Sequence, residues 1–232
     1  MKWIFKLAEW RMIRRTLIGR NRDRQHPELG RITQDDVDFI LRESWRNYEI
    51  LKADAPDIET LGGRYMLSWG IRGLSLYQAI RKFGADKDYA TELAADISWK
   101  YYKKSMRIPR LIARIKSRKP QKQIIWLQRV GLRFLLKKPG YDWENHKTDD
   151  DVASFDIVRC PVNDFYKSRP EEEIEFFRYS WCTFDFPLAE YLVKGGRYER
   201  LHTLSAGDDR CDMRNMIVNP SVSKKRINQF MD

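Results

Sequence analysis

The chain has 232 residues, of which 42% are hydrophobic and 13% aromatic, with three cysteines and a formal net charge of +11. That length and apolar content suffice for a substantial core and exclude a disordered chain. No apolar run approaches the roughly 18 residues that cross a bilayer, and three cysteines in a chain this long are not a disulfide framework.

The N-terminal segment places Trp3, Leu7, Trp10, Ile13 and Leu17 at helical spacing. Glu9, Arg11, Arg14 and Arg15 interrupt its apolar residues and no small-residue cleavage site follows, so it does not read as a secretory signal. A reducing cytoplasm is the expected compartment. Thr33 precedes Gln34-Asp35-Asp36 and the series Val37, Ile40, Leu41 and Trp45, which predicts an N-capped helix with acids in its first turn. A third helix is predicted from Thr60 to Phe83, where Gly62, Gly63, Gly70 and Gly73 imply close packing or a break. Asp86 is placed to cap a fourth, through Ala90, Leu93, Ala94, Ile97 and Tyr101. Two more are expected over Pro109–Ser117 and Gln121–Lys137, divided by Lys119-Pro120.

The texture changes after Lys138-Pro139-Gly140. Asp149-Asp150-Asp151 reads as a solvated connector, and 154–160 alternates apolar and polar residues as a half-buried strand does. Helices are expected from Pro170 through Tyr179 and over Pro187–Lys194. Strands are expected over Tyr198–Ser205 and Asp212–Val218, joined by a turn at 206–210. The predicted fold is α+β, with a helical region over 1–140 and a small antiparallel sheet domain with packed helices over 141–232.

The charge is divided unevenly. Residues 142–232 carry 18 acids and 13 bases, a balance of −5, which leaves +16 on 1–141. The span 97–141 alone holds 14 Lys or Arg and no Asp or Glu. Ile108, Leu111, Ile112 and Ile115, and then Ile124, Ile125, Leu127, Val130, Leu132, Phe134 and Leu135, are interleaved with those cations. Basic amphipathic helices of this kind predict an anionic membrane surface as partner, with the protein peripheral on the inner face of the membrane. The plain alternative is core helices with charged outer faces. Nucleic acid fits less well, since no nucleic-acid motif is present and the apolar content is high for a phosphate-tracking groove.

The cysteines all fall within 52 residues: Cys160 before Pro161, Cys182 three residues before Asp185, and Cys211 between Arg210 and Asp212. A thiol acts as nucleophile or ligand only as thiolate, so acids and turns around it bear on its chemistry. The bland reading of Cys160 and Cys182 is as small buried hydrophobes. Zinc at three Cys plus His202 or an Asp is disfavoured, because separations of 22 and 29 residues contain none of the short Cys spacings of structural sites. No cofactor is expected. His26 and His146 lie in polar stretches and read as surface residues.

Three features together carry a family resemblance. They are a strand ending in Arg159-Cys160-Pro161, then Cys182 with Asp185, then Leu201-His202-Thr203-Leu204-Ser205-Ala206-Gly207-Asp208-Asp209-Arg210-Cys211-Asp212. This C-terminal pattern, over about 154–218, resembles the L-2-amino-thiazoline-4-carboxylic acid hydrolase family, with weaker support from Leu74–Ala79 and Phe83-Gly84. The resemblance implies hydrolysis of a carbon–nitrogen bond in a small cyclic amidine, opening a thiazoline ring. Attack by a thiolate or an activated water gives a tetrahedral centre, and a ring nitrogen is protonated as it leaves. Cys182 is then the first choice of nucleophile, because Asp185 stands one turn away if the stretch is helical. Cys160 and Cys211 are candidates to converge on the same pocket. Arg159 or Arg200 would hold a substrate carboxylate through a two-pronged contact.

Asn163, Asp164, His202, Thr203 and Asp208 complete the candidate substrate-binding set. Asn163-Asp164 and Gly207-Asp208-Asp209 also read as turns, and His202 as an outward strand position. The rival to an enzyme is a non-catalytic module that binds a small apolar ligand, either free or at an anionic membrane surface.

Overall fold

The computed structural model describes residues 2–145 and 152–218; the Asp149–Asp151 connector and His146 lie outside them. The fold is α+β, with a four-stranded antiparallel sheet beside many helices. Contacts divide it into two compact units, both discontinuous in sequence.

The first unit comprises Met1–Asp57, Tyr65–Lys104 and Asp164–Cys182. It contains α1 (Lys2–Leu17), α2 (Gln34–Ala53), most of α3 (Leu61–Phe83) and α4 (Lys87–Ser105), with a return segment at 164–182. The start of α2 follows from its sequence. Thr33 accepts the Asp36 N–H at 3.4 Å, and the Asp36 carboxylate accepts the Thr33 N–H at 2.8 Å, a reciprocal capping box. Arg22 pairs with the same carboxylate. The helix then buries Val37, Ile40, Leu41, Tyr48 and Leu51 along one stripe. Asp86 likewise caps α4 by accepting the Tyr89 N–H at 2.9 Å. α3 runs unbroken through its glycines.

The return segment carries the end of α7 (Pro161–Lys167) and all of α8 (Glu171–Tyr179). It supplies aromatic rings to this unit's core. Tyr166 stacks on Phe177 at 4.3 Å and donates its hydroxyl to the Gly70 carbonyl at 2.9 Å. Phe176 stacks on Tyr77 at 4.5 Å. Glu172 accepts from both Tyr77 and Arg81. Offset aromatic pairs such as these add to what area burial alone contributes.

The second unit comprises Ile58–Arg64, Ser105–Asn163 and Thr183–Asp232. Its sheet has the order β1 (Asp142–Asn145), β2 (Val152–Arg159), β4 (Cys211–Ile217), β3 (Gly196–Glu199), antiparallel throughout. Helix α5 (Arg107–Lys116) packs on α6 (Pro120–Val130), α6 packs on β2 and β4, and α9 (Asp185–Leu192) packs on β3. Directly paired residues share a face of a sheet. Pairing Ile157 with Cys211, Phe155 with Met213 and Ala153 with Asn215, and Asn215 in turn with Tyr198, therefore places all of these on one face. Ser154, Asp156, Asp212 and Arg214 take the other.

Several elements depart from the reading of the sequence. α6 ends at Val130 and gives way to a π-turn at Gly131–Leu135, so the expected helix to Lys137 is cut short. The expected strand at 198–205 is shorter and earlier, since β3 stops at Glu199 and Leu204–Ala206 forms a 3₁₀ turn. β4 therefore pairs with β3 across an eleven-residue connection at 200–210 rather than a tight turn. Side chains there bond to backbone N–H groups locally, which competes with the ladder.

Candidate functional site

The second unit brings five of the residues singled out by sequence into one neighbourhood. Cys211 opens β4 and is buried. Its sulfur accepts the Leu204 N–H at 3.3 Å and lies 3.5 Å from Thr203 Oγ1. Cys160 follows the last residue of β2. Backbone N–H groups of Asn163 and Val162, at the turn into α7, and the Tyr141 hydroxyl point to its sulfur, and its charge and that of Cys211 would repel one another. Asp185 opens α9, with Oδ2 3.9 Å from Arg200 Nη1. Asp185 and Arg200 both act electrostatically on Cys211.

The electrostatics follow from burial. Loss of hydration pushes the Cys160 thiol up to about 12, against the neighbouring N–H groups and Tyr141. Burial also raises Cys211, and Thr203, Leu204 and Arg200 only partly offset it. Both sulfurs are therefore thiols at neutral pH. Burial raises the Asp185 carboxyl to about 6, with Arg200 pulling it back. Its side chain is still 31% exposed, so water or a small molecule reaches it, whereas Arg200 is 9% exposed. Arg200 lies over the rings of Phe186 and Tyr198 at 5.7 and 5.9 Å, which fixes its guanidinium. A carboxyl that changes protonation near neutrality beside a held cation is able both to take and to return a proton.

The other residues have definite places. Cys182 is half-buried in a 3₁₀ turn, Trp181–Thr183, and belongs to the first unit, where its charge would be felt by Tyr166. A 3₁₀ turn rather than an α-helix thus separates it from Asp185 along the chain. Arg159 is exposed at the end of β2 and paired in register with Asp142. Asn163 is buried, and its side-chain Nδ2 has no hydrogen-bond partner among the described residues. Asp164 sits 3.8 Å from Lys167 in the first unit. The Asp208 carboxylate accepts the Thr203 N–H at 2.6 Å, and so shapes the connection that presents Thr203 to Cys211.

His202 is exposed, with Nδ1 3.6 Å from Asp212. Asp212 itself is buried on the opposite face of the sheet from Cys211. It accepts the His202 and Leu201 N–H groups at 2.6 and 2.9 Å. Burial opposes its ionisation, and those N–H groups outweigh it and hold the carboxyl below the usual range.

Sequence reasoning did not single out Tyr198, Tyr141, Asp156 or the burial of Asp212. Tyr198 donates to Met213 Sδ at 2.7 Å beside the site. Asp156 pairs with Asp212 across β2 and β4, with Arg210 Nε 3.4 Å from it. The signal for Asp156 was an acid between Phe155 and Ile157, in a strand with apolar residues on both faces. Among the described residues no group of three or more His, Cys, Asp or Glu is arranged to hold a metal ion. No helix among them is long and apolar enough to cross a membrane. No family model, no curated protein and no solved structure matches the chain.

Proposed function

We propose that this chain is a hydrolase similar to the L-2-amino-thiazoline-4-carboxylic acid hydrolases, opening a carbon–nitrogen bond of a small cyclic amidine. The observation that carries the reading is Asp185: a water-accessible carboxyl raised to about 6, with Arg200 beside it and Cys211 in its field. Ring opening needs one group that removes a proton from water and returns it to the departing nitrogen. Asp185 is poised for both steps. Water oxygen bonds to the amidine carbon as Asp185 takes its proton. The ring C–N bond then breaks, and the nitrogen leaves with the proton that Asp185 returns. Arg200 would orient an anionic substrate group.

The thiols of Cys160 and Cys211 are protonated at rest, which favours water over either as the attacking group. Cys182 as nucleophile is the covalent alternative: its sulfur bonds to an amidine carbon, the ring C–N bond breaks as the nitrogen takes the thiol proton, and water then cleaves the adduct and returns a proton to the sulfur.

Ring opening of 2-aminothiazoline-4-carboxylate by the purified chain, with metal analysis of the same sample, tests this. Asp185→Asn is expected to lower kcat/KM about 100-fold or more and remove a limb near pH 6. If Cys182→Ser keeps full activity, water attacks directly; if it abolishes turnover with the fold intact, the covalent route holds. Absence of ring opening by the parent protein would overturn the proposal.

A further inference from the structure

Within the 97–141 span, α5 and α6 dispose their apolar residues differently. On α6, Ile124 is buried and Ile125 and Leu127 are half-buried, because this helix packs on β2 and β4. On α5 the apolar residues point outward. Ile108 is 69% exposed, Leu111 58%, Ile112 39% and Ile115 77%. At about 100° per residue these four lie within one arc of about 100°. The buried residue of α5 is Ala113, on the far side. There too Arg110 seats its guanidinium over the Tyr191 ring of α9 at 4.5 Å, tying α5 to its own unit. Arg107, Arg114 and Lys116 flank the apolar arc and are exposed, followed by Arg118 and Lys119.

We propose that α5 is an interfacial membrane anchor, laying Ile108, Leu111, Ile112 and Ile115 into the acyl boundary of an anionic bilayer while the flanking cations meet the headgroups. The outward face is purely aliphatic, which suits hydrocarbon. A protein-binding hot spot favours Trp, Tyr and Arg, and a single-stranded nucleic-acid surface needs aromatic platforms for its bases. Lys and Arg stems cover apolar surface while their charges reach outward, so the rim and the face work together. The absence of acids from 97–141 removes the repulsion that would oppose an anionic surface. This inference is independent of the hydrolase reading.

The test is co-sedimentation of the full chain with phosphatidylcholine vesicles, with and without phosphatidylserine. Phosphatidylserine at low salt is expected to raise binding about tenfold or more, and added salt to reverse the gain. The double variant Ile108→Asp/Ile115→Asp should lower binding about tenfold or more with unchanged circular dichroism, since neither side chain supports the core. Leu111→Ser/Ile115→Ser is a milder check should the charged variant misfold. Arg107→Gln/Arg114→Gln/Lys116→Gln should abolish the preference for phosphatidylserine. Equal weak binding to both vesicles, or parental binding by both apolar variants, would overturn the proposal. So would tighter binding to an RNA oligonucleotide, or a dimer lost in the apolar variants without vesicle binding.

Discussion

Asp185 and Asp212 belong to the same unit, and their environments push them in opposite directions. Asp212 is buried but accepts two short backbone hydrogen bonds, so its charged form is favoured. Asp185 has, among the described residues, a long contact to Arg200 to set against burial, and its neutral form is favoured. The consequences for stability have opposite signs. The lowered Asp212 contributes stability that is complete above its ordinary value of 3.8 and is lost as pH falls through its lower folded value. Asp212→Asn is expected to cost about 2 kcal/mol at neutral pH, a cost that shrinks below about pH 4. The raised Asp185 makes the folded state hold an extra proton between 3.8 and about 6, so stability falls as pH rises through that window. Relative to the parent, Asp185→Asn should therefore gain stability from pH 4 to pH 6. Urea unfolding of both variants across that range checks the two slopes together. Cysteines, Asp185 and the 201–212 motif were all visible in the sequence, but the sign of each shift was not. It depends on which N–H groups happen to face the carboxyl.

Two kinds of element boundary behave differently. The start of α2 is written locally. Thr33 and Asp36 lie three residues apart and satisfy each other's backbone N–H, so position along the chain suffices to find them. Thr33→Ala should cost about 1 kcal/mol, measured by chemical denaturation. The seating of α9 on β3 is not local. A Cβ on Gly196 would stand 2.2 Å from the Ala189 carbonyl oxygen, backbone that cannot swing aside. Gly196→Ala should cost about 2 kcal/mol. It should also part Asp185, on α9, from Arg200, just beyond β3, so that the pH 6 limb of activity shifts. A loss of stability with that limb unmoved would show that β3 does not position the pair. In the sequence, Gly196 only follows the end of the helix expected over Pro187–Lys194.

At the scale of the molecule, the chain leaves its first unit after Lys104 and comes back to it at Asp164. A fragment of residues 1–140 would lack Tyr166, Phe176 and Phe177, and so expose Tyr77 and remove the hydroxyl that Tyr166 donates to the Gly70 carbonyl. It is expected to bind a hydrophobic dye and to lose near-ultraviolet dichroism, and adding residues 164–182 in trans should partly restore both. A fragment that unfolds cooperatively at the parental midpoint would contradict this. By itself the sequence determined the α+β class, most helices of the first unit and the β2 and β4 strands, because periodicity and capping act between residues a few places apart. It also marked the long acid-free basic span at 97–141. The tertiary structure alone decided that α6 spends its apolar face on the sheet while α5 keeps its own outward. It alone decided that Cys160 and Cys211 share a neighbourhood with Asp185 and Arg200, while Cys182 lies in the other unit. Burial and pairing between residues far apart in the chain are set by which surfaces pack, and spacing along the chain does not encode that.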